Sequence, residues 1–243
     1  MKSRIETMSQ QENSGYSCRL WSQTDSWVVV EKPVGIPTGT SARLDDTSTV
    51  VGQVREMIPP STGPMVVHRL DRETSGLVVV ALDPHTHANL SKQFRDRLVY
   101  KRYSAIVLGT PFEQSGAVRL PIADMRDVID TEPEGDEHVK RVVHRAGKPA
   151  TTFWRTAPCN CTSDDLSVHT HIALYPITGR THQLRVHCAT GWVSGGIGCP
   201  IVGDPLYGRS GQGHRMMLHA SALSFIDPAT DERVCFESEP PFR

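Results

Sequence analysis

Six consecutive apolar residues, Leu77-Val78-Val79-Val80-Ala81-Leu82, constrain this chain more than any other stretch. An apolar run of that length, rich in β-branched residues, reads as a buried strand. Asp83-Pro84 follows at once, with an N-cap residue and a proline suited to the first helical position. Leu90, Phe94 and Leu98 then recur at i, i+4 and i+8, which predicts an apolar stripe on one helix face. Directly before the run stands His68-Arg69-Leu70-Asp71-Arg72-Glu73-Thr74-Ser75-Gly76, a polar loop at the entrance of the strand. Catalytic groups concentrate on loops held by rigid scaffolds. Arginines flank Asp71, and a nearby cation keeps a carboxylate ionised, as a nucleophile or base requires. Thr74 and Ser75 can hydrogen-bond the loop backbone and fix its shape. On these residues alone, an ordinary turn with a surface ion pair explains the segment at least as well.

The rest of the chain fits an α+β pattern with an extensive, mainly antiparallel mixed sheet flanked by helices and loops. Strands are expected at Trp27 to Val30, Arg102 to Leu108, Val168 to Leu174 and Met216 to Phe225. Short helices are expected at Val50 to Ile58, stopped by Pro59-Pro60, and at Thr181 to Cys188. Gly191 to Gly198 and Pro200 to Pro205 read as loops. Asp124 to Lys148 is charged and aperiodic, so it reads as a long excursion. Residues 1–17 read as a flexible tail, and 18–243 as a single domain, with no internal repeat.

With a formal net charge of -1, the chain has no overall basic coat. Lys92, Arg95, Arg97, Lys101 and Arg102 form one basic stretch; Lys140, Arg141, Arg145 and Lys148 form another. Seven acidic residues lie between them, from Asp124 to Glu137. The basic stretches can form one RNA-facing surface or cover unrelated solvated faces. Six cysteines stand at no disulfide or zinc spacing, and Cys159-Asn160-Cys161 lacks a second ligand pair. They are expected to be reduced. No apolar run approaches the ~18 residues of a membrane span, and the polar start lacks a signal-peptide core. A cytoplasmic protein without a membrane partner is expected.

The segment His68 to Gly76 resembles the signature of RluA-type RNA pseudouridine synthases. Further similar motifs follow in family order. They are Glu31-Lys32-Pro33-x-Gly35, Tyr100 to Ala105, Gly147 to Ala150, Thr178 to His187, Pro200 to Gly208, and Leu218-His219-Ala220. The resemblance covers nearly everything from Ser26 to Phe225, and Gln93 to Arg97 with Leu120-Pro121-Ile122 points to the RluA subgroup. It implies a pseudouridine synthase fold and a structured RNA substrate, ribosomal RNA or a tRNA stem-loop. It also implies a monomer with no obligatory protein partner. The S4-type RNA-binding module that many members carry is expected to be absent, since about 25 residues precede the first strand.

The resemblance also implies site roles. Asp71 matches the catalytic aspartate, Arg185 the arginine paired with it, and Tyr103 the tyrosine that stacks on the flipped uracil. Leu218 matches the apolar residue that closes the pocket, and Arg69 the arginine that fills the place of the flipped base. Thr74, Arg180, His182 and Gln183 are expected to support the pocket or contact RNA. His68, His187 and His219 are read as structural or RNA-contacting rather than as metal ligands. Moving C1′ from N1 to C5 of uracil balances atoms and electrons within one nucleotide, so no cofactor, metal or ATP is expected. Asp71 can attack covalently or abstract a proton, and the sequence leaves both open. Two rivals are an inactive RNA-binding module and an aspartate-nucleophile phosphohydrolase. The second suffers because His68-Arg69 interrupts the apolar strand that should precede its aspartate.

Overall fold

All seven residues of the strand Ser75–Ala81 are buried, as the apolar run that fills it from Leu77 onward requires. The computed structural model describes residues 17–39, 48–58, 65–128, 140–157, 169–208 and 215–242. The expected tail, apart from Ser17, and the Cys159–Cys161 pair lie outside them. In chain order the strands are β1 (Arg19–Gln23), β2 (Trp27–Lys32), β3 (Met65–Val66), β4 (Ser75–Ala81), β5 (Tyr100–Leu108) and β6 (Ser115–Val118). They continue with β7 (Ile122–Asp124), β8 (Arg141–Val143), β9 (Thr152–Thr156), β10 (His169–Pro176), β11 (Leu218–Ile226) and β12 (Arg233–Glu237). The helices are α1 (Val50–Met57), α2 (Pro84–Arg95) and α3 (Gln183–Ala189). This is the α+β architecture that the sequence predicts.

The chain forms two compact units, residues 1–101 with 220–239, and residues 102–219 with 240–243. In the first, strands follow the order β1-β2-β4-β11, with β3 also on β4 and β12 on β11. The pairs β1·β2, β2·β4, β3·β4 and β11·β12 are antiparallel. Trp27, Val29, Leu77, Val79, Leu90, Leu223 and Phe225 pack together in its core. α2 begins as predicted, with the Asp83 carboxylate accepting from the Thr86 N–H at 2.9 Å. The predicted stripe is cut short, because the helix stops at Arg95 and Arg97 turns left-handed at φ 62°. Leu98 therefore leaves the helix and is 50% exposed, whereas Leu90 is sealed.

In the second unit the antiparallel order is β5-β10-β9-β6. Val107, Trp154, Ile172, Leu174, Leu184, Cys188 and Leu218 share its main core. The expected excursion after Asp124 is in part ordered. β7 and β8 pair antiparallel, and Arg141 bridges back to Asp124 at 2.8 Å. Three-residue strands are too short to show a period in sequence, so the charge pattern alone concealed them.

Gly76, the second residue of β4, has φ +114°, a conformation that costs an L side chain strain. A Cβ placed there would stand 2.5 Å from the Ala220 nitrogen and nearer still to its carbonyl oxygen. Gly76→Ala is expected to destabilise the protein by about 2–5 kcal/mol, summing backbone strain and overpacking. Urea unfolding measures this; a loss under ~1 kcal/mol would mean that β4 and β11 need no such close approach.

Candidate active site

The loop carrying Asp71 is held from below by a second loop, Pro33–Gly39. Lys32, at the end of β2, is 0% exposed. Its ammonium donates to the carbonyls of Pro33 (2.8 Å), Ile36 (2.7 Å) and Arg72 (3.1 Å). The Thr38 hydroxyl donates to the Leu70 carbonyl and accepts from the Leu70 N–H, both at 3.0 Å. Gly35 N–H donates to the Arg72 carbonyl at 2.8 Å, and Arg72 Nε returns a bond to the Gly35 carbonyl at 2.9 Å. The backbone is thus fixed at Leu70 and at Arg72, the neighbours of Asp71 on either side. A turn closes the loop, with Thr74 N–H donating to the Asp71 carbonyl at 3.1 Å. Asp71 itself is half-buried, Thr74 is buried, and Arg69 is exposed without a side-chain partner among the described residues.

His68 anchors the loop's start. Its ring stacks on Phe94 of α2 with centroids 4.5 Å apart, and its Nε2 accepts from the Val79 N–H at 3.1 Å. The proton therefore sits on Nδ1. Burial, then the charge of Lys101, pushes this imidazole down to about 3. Lys101 lies 5.9 Å from the Phe94 ring centroid, and burial pulls its ammonium down to about 8.

The second unit holds the other predicted residues. Tyr103, on β5, is partly buried at the margin of the core that contains Leu218. Arg185, on α3, is 1% exposed and donates Nε and Nη2 to the two carboxylate oxygens of Asp204, at 2.8 and 2.7 Å. Such a bidentate fork is the strongest pairing an arginine makes. Asp204 also accepts from the N–H groups of Leu206 (2.9 Å) and Tyr207 (3.1 Å). The Tyr207 ring lies 5.2 Å from the Arg185 guanidinium carbon. Its hydroxyl bonds His182 Nδ1 at 3.0 Å and accepts from Arg141 N–H at 2.7 Å. His182 caps α3 in the left-handed region at φ 55°.

The Gln183 amide is used within the unit. Its oxygen accepts from the Thr178 hydroxyl (2.7 Å) and Arg180 N–H (3.0 Å). Its nitrogen donates to the Thr151 carbonyl and the Thr152 hydroxyl oxygen, both at 3.0 Å. Arg180 Nε donates to the Pro149 carbonyl at 3.1 Å. These bonds join the Thr178–Arg180 turn to Pro149–Thr152. His187 lies beside them, with Nε2–H on the Leu120 carbonyl (3.1 Å) and Nδ1 toward the Thr152 hydroxyl (2.9 Å).

A family model described as RNA pseudouridylate synthase matches residues 26–190. The chain belongs to this family. It is an RNA pseudouridine synthase of the RluA-like type, an isomerase. An uncharacterised RNA pseudouridine synthase of Zymomonas mobilis is 37% identical over 198 residues, covering 81% of this chain and 82% of that one. The dual-specificity RNA pseudouridine synthase RluA of Escherichia coli K12 is 32% identical over 223 residues, covering 90% and 92%. The structure of human RNA pseudouridylate synthase domain containing 1 is similar with a TM-score of 0.73 at 27% identity, covering 96% of this chain and 88% of that one.

Sequence reasoning named Asp71 and Arg185 but missed the groups of this synthase that fix them, Lys32, Thr38, Asp204 and Tyr207. Lys32 had a signal, since an apolar strand ending in a lysine before Pro33-x-Gly35 is an unusual place for a charge. Asp204 and Tyr207 lay within the Pro200 to Gly208 motif, but nothing there showed the pairing, because Arg185 is 19 residues away across a glycine-rich loop.

Two outcomes follow from the Arg185–Asp204 pair and from His68. Asp204→Ala leaves the Arg185 guanidinium buried without its carboxylate and is expected to cost about 3–5 kcal/mol. Denaturant unfolding reads this, and a loss below ~1 kcal/mol would show that the pair does not hold α3 to the 204–207 loop. His68 sets an acid limit. Its folded value lies below the ordinary imidazole value, so the unfolded chain takes up the proton first. Its contribution is complete above about pH 6.5 and declines as pH falls toward 3, by at most ~1.4 kcal/mol per pH unit. Between pH 7 and pH 5 the wild type should lose about 1–2 kcal/mol more stability than His68→Gln; equal losses would refute a His68 held neutral in the folded protein.

Proposed function

We propose that this synthase isomerises specific uridines in structured ribosomal RNA or tRNA stem-loops, with Asp71 as the catalytic carboxylate. The observation that carries this reading is the double restraint on the Asp71 backbone, by Lys32 and Thr38, at the entrance of a fully buried strand. A reacting group must stay within a fraction of an ångström of its productive position, and such a scaffold provides that. The similarity to RluA enzymes named for dual specificity favours more than one RNA target.

The glycosidic bond of a stacked uridine is out of reach, so the nucleotide is extruded first. Unstacking costs a few kcal/mol, offset by stacking of the freed ring on Tyr103 and by entry of Arg69 into the vacated place. The exposure of Arg69 suits that role, and the aromatic face of Tyr103 tolerates rotation of the detached base. Arg185, held by Asp204, is assigned the role of the family's aspartate-pairing arginine. Leu218 bounds the pocket on its apolar side. Thr74 fixes the turn after Asp71, and Gln183 positions the Thr178–Arg180 turn; Arg180 on that turn and His182 at the start of α3 meet the RNA. The C1′–N1 bond breaks, C1′–C5 forms, the C5 proton leaves and N1 gains one. Asp71 acts either by attack on the nucleotide or by removing a sugar proton.

Asp71→Asn is expected to lower turnover by at least about a thousandfold, with RNA binding and unfolding midpoint nearly unchanged. Tritium release from RNA labelled at uridine C5 measures turnover. A variant that still turns over at the wild-type rate would remove Asp71 from the chemistry.

A further inference from the structure

Alternation along β9 buries Thr152 and Trp154 and exposes Phe153 and Arg155. Strand register places Phe153 beside Tyr175 on β10 and Ala117 on β6, and Arg155 beside Ala173 and Ser115. Tyr103 registers with Leu174, and Leu174 with Trp154, so the Phe153 face is the opposite face of this sheet from Tyr103. Two cations stand over two rings there. The Arg119 guanidinium carbon lies 5.6 Å from the Phe153 ring centroid, and that of Arg155 lies 5.9 Å from the Tyr175 ring. Arg155 Nε also donates to the Tyr175 hydroxyl at 3.1 Å, which fixes the ring. Phe153 is 42% exposed, and Ile177, next on the same face, is 39% exposed.

Phe153, Tyr175 and Ile177 share this face, and apolar surface gathered in one place marks a contact site more than a single exposed ring does. The outward positions of the three strands, Ser115, Ala117, Phe153, Arg155, His169, His171, Ala173 and Tyr175, include no carboxylate. Aromatic rings on a sheet with guanidinium groups beside them suit one partner chemistry, unpaired bases joined by phosphates. Bases stack on the rings, and the arginines meet the backbone charge. Register keeps the two rings adjacent, as successive stacked bases require.

We infer that the outer face of β6, β9 and β10 is a second RNA-contact surface, a stacking platform of Phe153 and Tyr175 flanked by Arg119 and Arg155. It holds a single-stranded segment of the RNA substrate away from the uridine that reacts. The inference rests on the family's RNA substrate, not on the roles proposed for Asp71, Tyr103 or Arg185. Phe153 is partly exposed and takes no part in the chemistry, so its truncation leaves the maximal rate intact.

The test uses the full chain with a fluorescent 20-nucleotide single-stranded RNA, and with the same RNA carrying 4-thiouridine. Phe153→Ala is expected to weaken binding about tenfold, by analogy with stacked bases elsewhere. Arg119→Gln with Arg155→Gln is expected to lower the slope of log affinity against log salt by about two phosphate contacts. Irradiation should cross-link the thio-substituted RNA to β9. Turnover at saturating RNA should match wild type in both the Phe153→Ala and the double arginine variant, whereas Asp71→Asn loses turnover and keeps binding. Affinity within twofold of wild type in Phe153→Ala, with the unfolding midpoint unchanged, overturns the proposal. So does a salt slope that the arginine variants leave alone. Loss that appears with an acidic peptide and not with RNA also overturns it, and makes the face a protein-docking surface.

Discussion

An ammonium group shut away from water is costly unless its donors are all met. Lys32 is such a group, and three carbonyl oxygens meet its three donors. Two of those carbonyls belong to the Pro33–Gly39 loop and the third to Arg72, so the charge is satisfied only while both loops keep their places. Any drift of Arg72 strands a buried cation. The position of Asp71 therefore depends on an interaction that never touches it. Arginine could not replace this lysine, because a planar fork does not point three donors at three converging carbonyls.

The second unit solves the same problem by other means. Arg185 is equally buried, but its partner is a carboxylate rather than a set of backbone dipoles. Asp204 carries two further N–H bonds from its own turn, and Tyr207 from that turn lies against the guanidinium. One buried charge thus ties helix to loop, and the loop returns a hydroxyl to His182 at the helix start. The left-handed backbone of His182 is sustained by that closed circuit, since a non-glycine residue seldom holds such a φ unsupported. In both units a rigid segment is secured by an internal cation whose neighbours would be stranded by movement.

What could be read from sequence follows from the range of the forces involved. β4 and the start of α2 are local: an apolar run and an N-cap declare themselves within a dozen residues. The end of α2 was misplaced because apolar spacing ran on to Leu98 while the backbone had already reversed at Arg97. β7 and β8 were hidden because each is three residues long and their pairing joins positions some twenty residues apart. At the site, residue types were legible and the supports were not. Thr38 and Leu70 are separated by 32 positions, and Lys32 and Arg72 by 40. Nothing in a linear pattern links them. The flanking arginines show the limit well: adjacency suggested that Arg72 serves Asp71, yet its side chain turns to the Gly35 carbonyl.

The reaction of this family constrains where selectivity can reside. Isomerisation rearranges one nucleotide, and every uridine offers the same atoms to the carboxylate. The groups nearest the chemistry therefore cannot tell one RNA from another. With a net charge of -1, the chain has no broad field to gather RNA indiscriminately either. On the proposed reading, recognition draws on local cations and rings, including those placed at a distance from the reacting base, each acting within about a Debye length. Such contacts add affinity only where the RNA's own shape brings backbone and unpaired bases to them together. If the proposed contacts hold, such a synthase reads the form of its substrate and leaves the identity of the target uridine to position.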